Sequence, residues 1–186
     1  MRDPKRVAIL ISGRGSNMRE LVEQASGYEV VLVASNKPLA AGLDWARLHG
    51  LPTWTWDSKL VAKELWDRAL SQALEDHGIG TIALAGFMRI LSPGFIAEWR
   101  GRIVNIHPSL LPKYRGLDTH QRAIEAGDAV SGCSVHLVTE KLDAGEVLGS
   151  VEVPIAPGDT PDSLEQRVLA AEHLLYPRIL SEFVQR

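Results

Sequence analysis

A single cysteine, Cys133, stands in a chain of 186 residues, so no intrachain disulfide can form and metal sites built on several cysteines are excluded. That fits a reducing, cytoplasmic setting. Basic charge is not in excess either. A net charge of -3 leaves nothing to track a phosphate backbone, which argues against nucleic acid as a partner. Long apolar runs are missing. The N-terminus, MRDPKRVAILISG, starts basic, but its apolar run is only about six residues, too short for a secretory signal and far below the ~20 of a membrane span. Several reaction signatures are lacking as well. There is no GxSxG elbow, and Ser109 follows a proline. The histidines are scattered without HExxH spacing, so zinc is disfavoured. No repeat, low-complexity tract or long linker interrupts the chain.

What is present is core material. Apolar residues make up 45% of the chain, enough for one domain with a sizeable interior. RVAILIS (6–12) is a short Ile/Val-rich run that ends in GRGSN and leads into MRELVEQAS, whose Met18, Leu21, Val22 and Ala25 have helical spacing. YEVVLVASN (28–36) predicts a second strand, LAAGLDWARLHG (39–50) a helix ended by Gly50, and LPTWTW (51–56) a short extended segment. The stretch 59–78 predicts a long amphipathic helix with Leu65, Ala69, Ala73 and Leu74 on one face. GTIALAGF (80–87) is a buried strand, SPGFIAEWRG (92–101) a short helix and RIVNIH (102–107) another strand. A helix follows at THQRAIEAG (119–127), then strands at 130–140 and 145–155 around a turn near KLDAG. Thr160 and Pro161 open the last helix as N-cap and first helical residue. Strands alternating with helices imply a Rossmann-like α/β fold: a mostly parallel sheet covered on both faces, with an antiparallel portion near the C-terminal strands. The five tryptophans fall in helix or strand patterns and read as core or interface, and Cys133 as buried strand filler.

Ligands of such folds bind beyond the carboxyl ends of the strands. Three loops belong there: SGRGSN, GFMRIL and NIHPSLLP. In SGRGSN, Gly13 and Gly15 allow close backbone approach, and the following helix N-terminus favours an anion. Ser16 and Asn17 add side-chain donors. The spacing is neither GxGxxG, because Met18 stands in the third glycine's place, nor GxxxxGK[ST]. A single phosphate suits this loop better than a dinucleotide or triphosphate; a tight turn without a ligand is the alternative.

Asn105 and His107 are two apart on a strand, so their side chains point to the same side. An amide is a neutral donor, and a protonated imidazole is a charged donor and general acid. Together they suit the oxyanion of an acyl transfer. A carboxylate within about 4–6 Å raises a histidine's pKa, and Asp143, in EKLDAGE, is the candidate for that partner. Simple capping of the strand end is the competing reading of the pair.

Taken together, LISGRGSN, LAGFMRIL, NIHPSLLPKYRG, SVHLV with LDAGEV, and AEHLLYP resemble, in order and spacing, the folate-dependent formyltransferase family of the phosphoribosylglycinamide formyltransferases. The likeness runs over nearly the whole chain. It implies one formyltransferase domain over 1–186, with a Gly-loop nucleotide half at about 1–100 and a folate and catalytic half at about 101–186. It implies transfer of a formyl group from 10-formyltetrahydrofolate, as co-substrate and without a metal, to the amine of 5-phosphoribosylglycinamide in purine synthesis. By the same resemblance Asn105, His107 and Asp143 match the catalytic trio. Gly15, Ser16 and Asn17 match the loop on the ribose phosphate, and Glu172 a carboxylate holding the glycinamide end. Met88, Arg89, Ile90 and Leu91 match a segment lining the folate pocket, with Asn105 beside it. Thr139, Glu140, Lys141, Leu142 and Asp143 match a folate-binding loop. Lys63 stands where the family often has an arginine.

Two positions depart from the family pattern: Arg14 between the glycines, and Asp118 where a neutral or imidazole side chain is expected, with His120 still present. The resemblance implies small-molecule substrates, no membrane, and a monomer or homodimer. Among formyl-handling relatives, a methionyl-tRNA formyltransferase is expected to carry an extra basic C-terminal domain, and a formyltetrahydrofolate deformylase a regulatory domain ahead of the Gly loop. A non-catalytic nucleotide-binding module is the alternative of a different class, and the intact Asn105, His107 and Asp143 speak against it.

Overall fold

Residues 2–186 are described by a computed structural model. The elements run β1 (Asp3–Ile11), α1 (Ser16–Glu23), β2 (Glu29–Ser35), α2 (Ala41–Leu48), β3 (Thr53–Thr55), α3 (Lys63–Asp76), β4 (Ile79–Leu84), α4 (Pro93–Glu98), β5 (Ile103–His107), α5 (Thr119–Glu125), β6 (Val130–Leu137), β7 (Val147–Pro154) and α6 (Pro161–Phe183). The strands form one sheet in the order β3-β2-β1-β4-β5-β6-β7. The pairings from β3 through β5 are parallel, and β6 and β7 are added antiparallel. The expected Rossmann-like α/β class is therefore the observed one.

The apolar run in β1 has a direct cause. Val7, Ile9 and Ile11 pack into the cluster that α1, α2 and α6 cover, whereas Ala8 and Leu10 pack into the one that α3 and α4 cover. A central strand buried on both faces has no room for polar alternation. Burial of each large side chain there contributes roughly 1.5–3 kcal/mol. Chain direction across the sheet reverses at β1, since β2 lies on one side and β4 on the other. Loops after β1 and β4 therefore flank a topological switch point, where ligands of open α/β sheets settle.

Two expectations need correction. The helix expected over 59–78 starts only at Lys63. Its buried stripe is Trp66, Asp67, Leu70, Ser71 and Leu74, while Leu65 is exposed. The reason is that polar side chains serve the inner face. Asp67 accepts from the Ser92 N–H at 2.7 Å, and the Ser71 hydroxyl accepts from the Trp99 indole at 2.9 Å. An apolar-only reading of the helix skips such positions.

The last helix follows its sequence signals closely. Thr160 and Ser163 form a reciprocal cap, with proline in the first turn. Midway along α6, the Tyr176 hydroxyl donates to the carbonyls of Leu84 and Val104 at 3.0 and 3.1 Å. That fastens α6 to the carboxyl end of β4 and to the start of β5. No helix among the described residues is long and apolar enough to cross a membrane.

Candidate active site

β5 delivers Asn105 and His107 to the carboxyl edge of the sheet. The loop that follows is held by its own polar groups. Ser134 on β6 donates to the Ser109 carbonyl and accepts from the Leu111 N–H. Thr119 donates to the Pro108 carbonyl at 2.7 Å. Asp128 takes the Tyr114 hydroxyl at 2.8 Å and the Lys113 ammonium at 3.0 Å. Tyr114 itself sits at φ 52, a backbone state that costs a non-glycine residue about 1 kcal/mol or more. Its carbonyl lies 2.9 Å from His107 Nε2. An oxygen there can only accept, so Nε2 carries a hydrogen.

Asp143 arrives from the turn between β6 and β7. It also has a left-handed backbone, φ 46. The turn closes through the Leu137 N–H, which donates to the Glu146 carbonyl. A Cβ at Gly145 would lie 1.8 Å from the Leu137 carbonyl oxygen, so only glycine fits there. The Asp143 carboxylate is 7% exposed and faces two imidazoles. Oδ2 is 3.4 Å from His107 Nδ1, and Oδ1 is 3.5 Å from His136 Nε2. Oδ2 also accepts from the Gly116 N–H at 3.0 Å. Burial works against the Asp143 charge, but the Gly116 N–H and the His107 ring beside it favour the carboxylate and hold the carboxyl below its ordinary range. The trio expected from sequence is thus brought together.

The Gly loop lies at the same edge. Ser12 N–H donates to the Gly86 carbonyl, and the Ser12 hydroxyl accepts from the Met88 N–H at 2.8 Å, which ties the loops after β1 and β4 together. Gly15 is the α1 N-cap at φ 75 and supplies no side-chain cap, so the first N–H groups of α1 have no side-chain acceptor. The Asn17 side chain turns inward, toward α6. It is buried and donates to Glu172 Oε2 at 2.7 Å. Burial pushes the Glu172 carboxyl up to about 7, against the pull of that hydrogen bond. Arg14 is exposed and makes no side-chain hydrogen bond or ion pair among the described residues.

The residues matched to a folate pocket divide. Met88 and Ile90 are largely exposed, as is Leu142 on the Asp143 turn. Leu91 instead packs into the core with Phe95 and Trp66, so only its backbone can face a ligand. Arg89 stacks over Trp66 at 5.0 Å and leaves Nε and one terminal nitrogen buried without a partner. Thr139 hydrogen-bonds within its own loop to the Lys141 carbonyl, and Glu140 and Lys141 are exposed. Lys63 opens α3 and is not hydrogen-bonded to any candidate residue. Cavities of about 400 and 250 Å³ lie elsewhere, lined by Arg2, Arg100 and Arg102 in one case and by α3 and α4 in the other. The site therefore rests on side-chain chemistry.

His136 and Tyr114 are residues of the site that no sequence motif marks, and His120, noted beside the Asp118 departure, lies near them. A period-two reading of β6 would have flagged His136. Cys133 and Val135 point into the core, and Ser134 and His136 share the opposite face. His120, at the start of α5, is half-buried, with Nδ1 lacking a partner, and burial lowers its pKa. Asp118, the departure noted above, is an exposed N-cap at φ 56 with no side-chain cap bond.

Comparison with known proteins identifies the family. The formyl transferase family model matches residues 5–180. The chain is 48% identical, over 97% of its length, to the trifunctional purine biosynthetic protein adenosine-3 of Drosophila melanogaster, but spans only 14% of that protein. It is 43% identical to phosphoribosylglycinamide formyltransferase of Escherichia coli, covering 95% of this chain and 86% of that one. The crystal structure of phosphoribosylglycinamide formyltransferase from Brucella melitensis superposes with a TM-score of 0.92 at 47% identity, covering 100% of this chain and 97% of that one. With a family model over most of its length and relatives at this identity, the chain belongs to the formyl transferase family.

Proposed function

We propose that this chain transfers the formyl group of 10-formyltetrahydrofolate to the amine of 5-phosphoribosylglycinamide, in purine synthesis, and that residues 1–186 work as one formyltransferase domain. The observation that carries the reading is the Asp143 carboxylate set 3.4 Å from His107, with Asn105 two residues away on the same strand. The names of the Escherichia coli and Brucella melitensis relatives support the choice of substrate.

The amine attacks the formyl carbon and a tetrahedral oxyanion forms. Asn105 donates one hydrogen bond to that oxygen. His107 donates the other from Nε2, whose hydrogen rests on the Tyr114 carbonyl until the ring turns it toward substrate. Each such donor is worth about 3–4 kcal/mol, or roughly 10²–10³ in rate. Asp143 stabilises the imidazolium form of His107 by charge pairing and holds the water that relays the amine proton to N10; the oxyanion then collapses, the C–N10 bond breaks and tetrahydrofolate leaves. No metal and no covalent enzyme intermediate enters this route. Gly15, Ser16 and the α1 N-terminus take the phosphate. Asn17 acts by holding Glu172, which faces the glycinamide end. Residues 88–91 and 139–143, with Lys63, take the folate, and the unpaired nitrogens of Arg89 suit a ligand carboxylate.

The test is turnover with both substrates, read by formation of tetrahydrofolate and the N-formyl product. Transfer that requires the amine is the expected result. Release of formate without the nucleotide, or binding of the nucleotide with no transfer, would contradict it.

A further inference from the structure

The Nε2 atom of His136 has two claimants. Asn105 Nδ2 lies 3.2 Å away and Asp143 Oδ1 lies 3.5 Å away. A single ring nitrogen satisfies one of them properly: as a lone pair it accepts from the amide, and as an N–H it donates to the carboxylate. The other nitrogen is settled by its neighbour. Nδ1 lies 2.9 Å from the Leu137 carbonyl, which only accepts, so Nδ1 bears a hydrogen. A neutral ring protonated there offers a lone pair at Nε2, and the shorter contact, to Asn105, is the one a lone pair fits. His136 is 1% exposed, and its backbone stands opposite Asn105 in the antiparallel β5–β6 register. It is too enclosed to touch substrate in this arrangement.

We propose that His136 is a positioning residue: a neutral imidazole whose Nε2 lone pair fixes the rotation of the Asn105 amide, keeping the amide nitrogen rather than its oxygen at the reacting end of β5. Without it, the amide can turn over and present its oxygen to the developing oxyanion, which repels it. This inference rests on the formyl-transfer reading, because it takes Asn105 to be an oxyanion donor.

The test compares His136→Leu, which removes the acceptor, with His136→Gln, whose side-chain oxygen can restore it. His136→Leu is expected to lose about 10- to 100-fold in kcat, less than outright removal of an oxyanion donor, with both KM values within about threefold. His136→Gln is expected to recover most of that loss. In an Asn105→Ala background, His136→Leu should cost less than about threefold more, since its effect runs through the amide. Near-normal kcat in His136→Leu, or an equal further loss without the Asn105 amide, overturns the proposal. Nitrogen-15 spectra of the histidine rings in the unmutated chain supply a readout independent of turnover. A proton on Nδ1 alone is expected for His136 near neutral pH; a proton on Nε2 overturns the proposal even if a variant fails to fold. Absence of transfer by the unmutated chain would instead count against the function reading, with the ring assignment still decided by the spectra.

Discussion

His107 sits between two acceptors, the Tyr114 carbonyl and the Asp143 carboxylate, and both come from residues with left-handed backbones. Neither residue is glycine, so each conformation costs free energy that the surrounding hydrogen bonds must offset. Strain of this kind persists where the fold over-determines it, and here it aims a carbonyl and a carboxylate at one ring. His107→Ala should therefore leave folding intact, because the loop keeps its Ser109, Ser134 and Asp128 contacts. Its kcat should fall by roughly 10²–10³, with cooperative unfolding retained at a stability lower by about 1–3 kcal/mol, because the Tyr114 carbonyl and the Asp143 carboxylate lose a partner. A variant with near-normal turnover removes His107 from the mechanism.

Among the elements, the β6–β7 turn carries the most consequence in the fewest residues. It places Asp143, and it depends on Gly145 passing close to the Leu137 carbonyl. In Gly145→Ala the added methyl meets backbone oxygen, so the turn must open. We expect a stability loss of about 1–3 kcal/mol, seen as a lower unfolding midpoint, together with a loss of kcat larger than that seen with any neutral surface change. Unchanged melting and turnover would show that the turn accommodates the methyl and that Asp143 does not depend on it. The sequence carried part of this. The strand period of two puts Asn105 and His107 on one side, and KLDAG marks a turn. It did not reveal His136, because a histidine between Val135 and Leu137 carries no motif until the register places it opposite Asn105. The α3 face departs from its apolar pattern for a related reason: Asp67 and Ser71 are buried by hydrogen bonds, which hydrophobic periodicity cannot register.

Across the whole molecule, the site joins residues far apart in the chain. The Asn17–Glu172 bond links α1 to α6 across 155 residues of sequence, a pairing that no local pattern announces and that only the resemblance hinted at by naming both positions. That buried acid has a consequence for stability. Its ordinary value is 4.5 and burial raises it to about 7 in the folded chain. Below 4.5 both states hold the proton. Between there and about 7 the folded chain keeps it while the unfolded chain has lost it, so stability falls as pH rises through this window. The loss is complete above it, on the order of 3 kcal/mol. Glu172→Gln cannot ionise, and its amide can also reach the unpaired Asn17 Oδ1. Without ligand, its melting temperature should therefore gain on that of the unmutated chain between pH 5 and pH 8. A constant difference would mean that Glu172 is not held protonated by burial. The central claim is that a carboxylate fixed beside His107 drives formyl transfer while others hold the nucleotide. Its most direct test is to measure kcat and nucleotide affinity in Asp143→Asn: turnover is expected to vanish with binding of 5-phosphoribosylglycinamide within about threefold, whereas affinity lost in step with rate, or turnover retained, would contradict it.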